Sequence, residues 1–371
     1  MINRRLNDII TNNLNKAIIL LGPRQTGKTT LLTQIAKKSG NYLLLDADDT
    51  LVRSKLENAN TEEIKQLMGD YRTIFIDEAQ RIKNIGLTLK IITDRFPGVQ
   101  LLVSGSSSLE LANSINEPLT GRKWEYMLYP VSWQEWYEHI GYLKSEQQFE
   151  NRLIYGMYPE VITNQGKEKE ILSSITGSYL YKDLLSYQGI RKPDVLEKLL
   201  QALALQVGNE TSYNEIASLI KIDSKTVVNY IDLLEKAFVI FRLNPLSRNL
   251  RNEIATSRKI YFYDNGIRNA LISNYNPLNL RNDTGYLWEN FLISERIKYT
   301  HYNSVFCNRF FWRTRQQQEI DYIEEHSGKL FAFEFKWNET KKTRVSKVFK
   351  GAYPESEIQT ITRKNYLEFI T

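Results

Sequence analysis

Sulfur and imidazole are nearly missing from this chain: its 371 residues hold one cysteine, Cys307, and three scattered histidines, His139, His301 and His326. A single thiol makes an intramolecular disulfide impossible and excludes a thiolate cluster for zinc. Dispersed imidazoles leave little room for a histidine-rich metal site or a triad built around His. Long apolar runs are missing too. The longest, around Ala17–Leu21 and residues 100–103, fall far short of the ~18 residues that span a membrane. The opening Met1-Ile2-Asn3-Arg4-Arg5-Leu6-Asn7 has no apolar core, so no secretory signal is expected. The expected setting is soluble, reducing and cytoplasmic, with no membrane partner. Neither charge sign dominates: 49 Lys+Arg against 43 Asp+Glu give +6, which permits a nucleic-acid partner without demanding one. Hydrophobic residues at 42% and charged residues at 25% exclude a disordered or collagen-like chain. The length asks for two or three domains.

What is present begins with Ala17-Ile18-Ile19-Leu20-Leu21, a short apolar run of the kind a buried parallel strand needs. Gly22-Pro23-Arg24-Gln25-Thr26-Gly27-Lys28-Thr29-Thr30 follows directly, and residues 31–38 then show helical spacing. Strand, G-x-x-x-x-G-K-T loop and helix form the context that a phosphate-binding loop requires. Gly22 and Gly27 let the backbone curl so that successive N–H groups point at phosphate oxygens, at the positive end of the helix dipole. Lys28 is placed to reach the β- and γ-phosphates of ATP, and the Thr29 hydroxyl to bind Mg²⁺. Gly22, Pro23, Arg24, Gln25, Thr26, Gly27, Lys28, Thr29 and Thr30 are all candidate nucleotide contacts.

A second strand, Thr73-Ile74-Phe75-Ile76-Asp77-Glu78-Ala79, ends in two acids. Asp77 is placed to hold Mg²⁺ through its water shell, and Glu78 to orient and deprotonate an attacking water. Strands are also expected at 42–46 and 100–103. The latter ends in Ser104-Gly105-Ser106-Ser107, where Ser104, with Ser106 in reserve, could sense the γ-phosphate or position water. A helix at 109–114, then Gly121-Arg122 and a strand at 124–130, complete the run.

This order resembles an AAA+ ATPase core. More closely, it resembles prokaryotic AAA-family ATPases whose first domain reads Gly-Pro-Arg-Gln-x-Gly-Lys-Thr and whose acidic strand reads Asp-Glu-x-Gln, here Asp77-Glu78-Ala79-Gln80. Gly156-Met157-Tyr158-Pro159-Glu160 fits the same family. The resemblance implies that Arg122 acts as an arginine finger on a neighbouring subunit's ATP, and hence a homo-oligomer. A structural salt bridge is the other reading of Arg122, and Arg24 could touch the phosphates in cis.

From Trp133 to about Val207 the chain reads helical, with amphipathic stretches at 147–155 and 195–205 and an aromatic-rich helix at 179–185. Residues 212–220 and 224–238 then read as two helices around the turn Lys221-Ile222-Asp223, with Ser224 as N-cap of the second. The spacing resembles a helix-turn-helix, and 239–243 would open a wing. The second helix offers Lys225, Asn229 and Lys236 to phosphate or base edges, diluted by Asp232 and Glu235. Arg242, Arg248, Arg251, Arg258 and Lys259, against a single Glu253, form a basic run at the wing.

The last third opens with the apolar aromatic strand 259–264. A helix around 285–295 follows, with Leu287, Phe291 and Leu292 on its apolar face. Glu319-Ile320-Asp321-Tyr322-Ile323 and Leu330-Phe331-Ala332-Phe333-Glu334-Phe335-Lys336-Trp337 flank a turn at 326–329. The period of two puts Phe331, Phe333, Phe335 and Trp337 on one face and Glu334 and Lys336 on the other. Asp321 and Glu334 at adjacent strand positions can share a Mg²⁺, and a lysine beside them can steady transition-state charge. Glu289 on the preceding helix offers another acid. The arrangement resembles the PD-(D/E)XK nuclease superfamily, matched at Glu289, Asp321, Glu334 and Lys336. The basic run 341–350 could track a phosphate backbone.

The expected fold class is α/β: a P-loop AAA+ parallel-sheet domain (1–140), a helical lid or connector (141–205), a winged helix (206–258) and a restriction-endonuclease-like α/β domain (259–371). The expected function is Mg²⁺-dependent ATP hydrolysis coupled to an endonuclease-type site acting on nucleic acid, DNA before RNA. The alternative is a non-cutting ATPase switch whose C-terminal domain only binds nucleic acid or a protein.

Overall fold

Short strands, apolar throughout in β1 at Ala17–Leu21, build the first sheet. In this computed structural model, which describes residues 2–105, 118–180, 193–246, 258–314, 316–338 and 347–371, five strands run parallel: β1 (Ala17–Leu21), β2 (Tyr42–Asp46), β3 (Thr73–Asp77), β4 (Gln100–Gly105) and β5 (Lys123–Met127). Their spatial order is β2-β3-β4-β1-β5. Every residue of β1 and β3 is buried, as strands covered on both faces require. The order sets the carboxyl ends of β1, β3 and β4 side by side, where ligands of open parallel sheets bind. The phosphate loop, Asp77 and Ser104 are therefore brought to one rim. Ser106 and the expected helix 109–114 lie outside the described residues.

The chain divides into two compact units, Met1–Val131 with Lys236–Phe238, and Ser132–Glu235 with Val239–Thr371. The expected connector, most of the expected helix-turn-helix and the C-terminal segment thus share one unit, and the expected boundaries at 205/206 and 258/259 fall inside it. The reason is a single seven-stranded sheet of order β12-β11-β10-β9-β7-β8-β6. It comprises β6 (Glu210–Thr211), β7 (Ile240–Pro245), β8 (Arg258–Phe262), β9 (Asn308–Arg313), β10 (Glu319–His326), β11 (Lys329–Phe335) and β12 (Glu357–Ile361). β8, expected to begin a separate domain, is instead the antiparallel partner of both β7 and β6. β7 pairs parallel with β9, which carries the sheet on into the β9-β10-β11 meander.

The Thr284–Tyr302 helix is buried on nearly every side, polar residues included. Its Asn290 exchanges two hydrogen bonds with the backbone of Phe262 on β8, at 2.8 and 3.0 Å. Its Glu295 accepts from the Trp133 backbone N–H at 2.6 Å and pairs with Lys298 at 2.6 Å. Around it Trp133, Phe149, Trp288, Phe291 and Tyr366 pack edge to face, with ring centroids 5.1 Å apart for Trp133 and Phe149. The Gly156-Met157 turn has a structural job: Asp264 accepts from the Met157 N–H at 2.6 Å, and a Cβ on Gly156 (φ 73°) would collide with that carboxylate.

The two expected helices of the middle region run Tyr213–Ile220 and Ser224–Lys236. The cap of the second is Asp223, not Ser224. Its carboxylate accepts from the Thr226 backbone N–H at 2.9 Å and from the Thr226 hydroxyl at 2.6 Å, and these bonds hold its pKa below the usual carboxylate range. Among the described residues no helix is long and apolar enough to cross a membrane.

Candidate functional site

Gly22 leaves β1 with φ 149°, and a Cβ there would lie 2.2 Å from the Leu128 carbonyl oxygen, so only glycine fits this turn. Gly27 (φ 93°) ends the loop at the Lys28–Lys38 helix, whose first N–H groups have no side-chain cap. Uncapped donors at the positive helix end make an anion cradle. Lys28, 5% exposed, lies along the loop and donates to the carbonyls of Gly22 (2.9 Å) and Pro23 (2.8 Å). The Thr26 hydroxyl closes the turn onto the Pro23 carbonyl at 2.8 Å. The Gln25 side-chain oxygen is buried without a hydrogen-bond partner, while Thr30 faces outward.

Thr29 Oγ1 donates to Asp77 Oδ2 at 2.8 Å. Ser104, fully buried, donates to the other oxygen, Asp77 Oδ1, and accepts from the Glu78 backbone N–H at 3.2 Å. Ser104 thus holds the acid. Glu78 has φ 52°, an uncommon conformation outside glycine that concentrates at functional sites. Its carboxylate accepts from Gln80 Nε2 at 2.5 Å, and Arg24 Nη2 lies 4.0 Å away. The juxtaposed hydroxyl and carboxylate of Thr29 and Asp77 are the hard oxygen donors that Mg²⁺ takes beside a nucleotide, so these residues fit the ion. Arg122 pairs through Nε with Asp94 of the same chain.

Sequence reasoning missed Arg4. Its guanidinium, buried, donates to the carbonyls of Thr26 (2.7 Å) and Tyr129 (2.6 Å), bracing the loop from behind. No motif around Arg4 could have revealed this.

The second constellation gathers on the large sheet. Glu334 on β11 and Lys336, one residue past its end, lie 3.6 Å apart, and β11 runs between β10 and β12. Asp321 sits where β10 slips register against β9 between Ile320 and Ile323, a bulge of the kind that re-aims side chains. Its Oδ2 accepts from the Phe335 N–H at 2.8 Å. Glu289 is buried, accepting from the Tyr261 hydroxyl at 2.6 Å and Lys259 Nζ at 3.0 Å. Lys259 also pairs with Glu319, which lies 3.9 Å from Arg313. Burial raises Glu289 to about 7 against the opposing pull of Lys259, and raises Asp321 and Glu334 as well. Burial alone would lower Lys259, but Glu289, Glu319 and Asp321 outweigh it and hold the ammonium above its usual range.

Lys259, Tyr261 and Glu319 were therefore missed as members of this group. The signal was present: alternation along β8 puts Lys259 and Tyr261 on one face. Lys259 was instead expected in the basic wing run, and at 1% exposure it cannot meet a phosphate there. Arg242 of the same run is bound to Asp232 (2.8 Å) and Glu235 (2.9 Å), while Arg248 and Arg251 lie outside the described residues. Most of the run 341–350 lies outside them too. Two carboxylates of the group, Glu289 and Glu319, are already paired with the Lys259 ammonium and do not fit Mg²⁺ as they stand, whereas Asp321 accepts from a backbone N–H and Glu334 lies beside Lys336. Among the described residues the cluster of three prospective metal ligands within 4.8 Å is instead Cys307, Glu324 and His326. There the Glu324 carboxylate is taken by both arms of Arg296 at 2.8 Å.

Comparison with known proteins adds a class to this geometry. Residues 14–137 match the family described as AAA domain, 146–282 a domain of unknown function (DUF8612), and 284–368 a domain of unknown function (DUF4143). The chain is 28% identical over 329 residues to an uncharacterized protein of Mycobacterium tuberculosis, covering 87% of this chain and 70% of the relative. It is 25% identical over 377 residues to an uncharacterized protein of Methanocaldococcus jannaschii, covering 94% and 81%. The Walker-type ATPase of Pyrococcus abyssi shares the fold at a TM-score of 0.50 and 15% identity, covering 73% of this chain and 96% of that one. The AAA-domain match supports an AAA-family ATPase of the P-loop type.

Proposed function

We propose that this chain is an ATP-hydrolysing switch whose second unit binds nucleic acid, DNA in the first instance, without cutting it. The observation that carries the ATPase half is the linked set Thr29–Asp77–Ser104–Glu78 at the rim of three adjacent parallel strands. Lys28 would exchange its carbonyl partners for phosphate oxygens, and the helix N–H groups would bind the rest of the phosphate chain. Thr29 and Asp77 would hold Mg²⁺, which neutralises phosphate charge. Glu78, released from Gln80, would take the proton of the attacking water. Phosphate release from ATP by the full chain tests this: Lys28→Ala and Glu78→Gln should both abolish turnover, and full activity in either overturns it.

DNA binding is supported by the exposed Lys225, Asn229 and Lys236 on one helix, whose acids Asp232 and Glu235 are engaged by Arg242. Fluorescence anisotropy on duplex DNA should show salt-dependent binding weakened by Lys225→Ala with Lys236→Ala. A homo-oligomer with Arg122 serving a neighbour's ATP is part of the proposal, and requires the Asp94 pair to open. Arg122→Ala should then lower turnover in a manner restored by mixing with Lys28→Ala chains.

A second reading, metal-dependent cleavage by Asp321, Glu334, Lys336 and Glu289, is favoured by the Glu334–Lys336 pair beside Asp321. A part for Glu289 in it requires that acid to be freed from Lys259. Cutting of DNA or RNA by the full chain with ATP and Mg²⁺, lost in Asp321→Ala, would establish it over the first reading.

A further inference from the structure

Lys259 is a buried charge. It rises from the second residue of β8 into a site 1% exposed, where an ammonium survives only if its charge is matched. The match is close: Glu289 Oε1 at 3.0 Å on one side and Glu319 on another, with Asp321 near enough to act on its charge. The Phe311 ring, 5.6 Å from Nζ, covers it further. Tyr261, two residues along the same strand face, donates to the same Glu289 oxygen at 2.6 Å. Backbone geometry fixes both ends: Asn290 clamps β8 to the helix that carries Glu289.

These contacts use the oxygens that a divalent cation would need. Mg²⁺ demands near-octahedral oxygen donors at about 2.1 Å, and beside the ammonium it would meet a like charge with little water between. We propose that Lys259 is the resident cation of the pocket formed by Glu289, Glu319 and Asp321, and that the folded chain therefore takes up no divalent cation there. The pocket is charge-balanced from within, by a strand shared with the helix-turn-helix region.

The inference stands apart from the ATPase reading, because its readout is cation binding without nucleotide. Mn²⁺ is titrated into the nucleotide-free full chain carrying Asp77→Asn, and free Mn²⁺ is followed by its electron paramagnetic resonance signal. The expected result is no uptake by this protein, and uptake tighter by roughly tenfold or more once Lys259→Met is added. Lys259→Arg, which keeps the charge, should take up none. Adding Asp321→Asn to the Lys259→Met chain should remove the gained uptake. A folded Lys259→Met chain that gains no Mn²⁺ overturns the proposal. So does uptake by the Asp77→Asn chain that Asp321→Asn abolishes, a result that needs no change at Lys259 and decides the matter even if Lys259→Met does not fold.

Discussion

Two buried lysines separate the two units of this protein more sharply than their folds do. Lys28 rests on two neutral backbone carbonyls, at 2.9 and 2.8 Å, beside helix N–H groups with no cap. Lys259 is tied to two carboxylates and felt by a third. Turning to an incoming phosphate, the first lysine would give up hydrogen bonds to neutral carbonyls. Drawing the second away would leave the buried Glu289 without its counter-charge. The partners of the lysine, backbone carbonyls in one site and carboxylates in the other, thus tell the two sites apart better than the count of charged residues does.

Substitutions can break that contrast. The largest effect is expected at Lys28: replacement by Ala should lower ATP turnover by roughly 100-fold or more, measured as phosphate release, with the fold intact. Lys259→Met should act the other way, destabilising the second unit by about 3–5 kcal/mol because Glu289 and Glu319 lose their counter-charge. Thermal unfolding should show it, and turnover by the folded protein should persist.

The pH dependence follows from the same pocket. Glu289, facing Lys259, Tyr261 and Asp321, is raised to about 7 from its ordinary 4.5, chiefly by burial. The folded state therefore holds more protons than the unfolded one between those values, and stability falls as pH rises through the window. Asp321 and Glu334, also raised by burial, act in the same sense. Glu289→Gln should flatten the fall, read as the denaturation midpoint at pH 5 against pH 7.5.

Smaller effects sharpen the comparison at its edges. Arg4→Ala removes two charged hydrogen bonds behind the phosphate loop and should raise KM for ATP severalfold while kcat changes less, at a stability cost of about 2 kcal/mol. Asp223→Ala should lower the melting temperature slightly, whereas Ser224→Ala should leave it unchanged. The reverse ranking would restore Ser224 as the helix cap.

Legibility from sequence followed the range of the interaction. The phosphate loop, Asp77, Glu78 and the Glu334–Lys336 pair are local patterns, a strand with its following turn or two positions of one strand face, and each was readable. The place of β11 between two other strands was readable as well, because an all-aromatic face demands cover. Arg4 was not: its partners, Thr26 and Tyr129, lie 22 and 125 residues away. Lys259 was misread for a similar reason. In sequence it stands beside Arg258 at the end of a basic run, and only the pairing of β8 with β7 and β6 turns it inward. Ser104 was legible as a candidate but its partner was not, since the crossing of β4 beside β3 aims it at Asp77.

The most direct test is Mn²⁺ uptake by the unsubstituted full chain with and without ATP. The contrast between the two lysines predicts uptake only when ATP is present, tracking the nucleotide and lost in Lys28→Ala. Uptake without nucleotide that disappears in Asp321→Asn would contradict it.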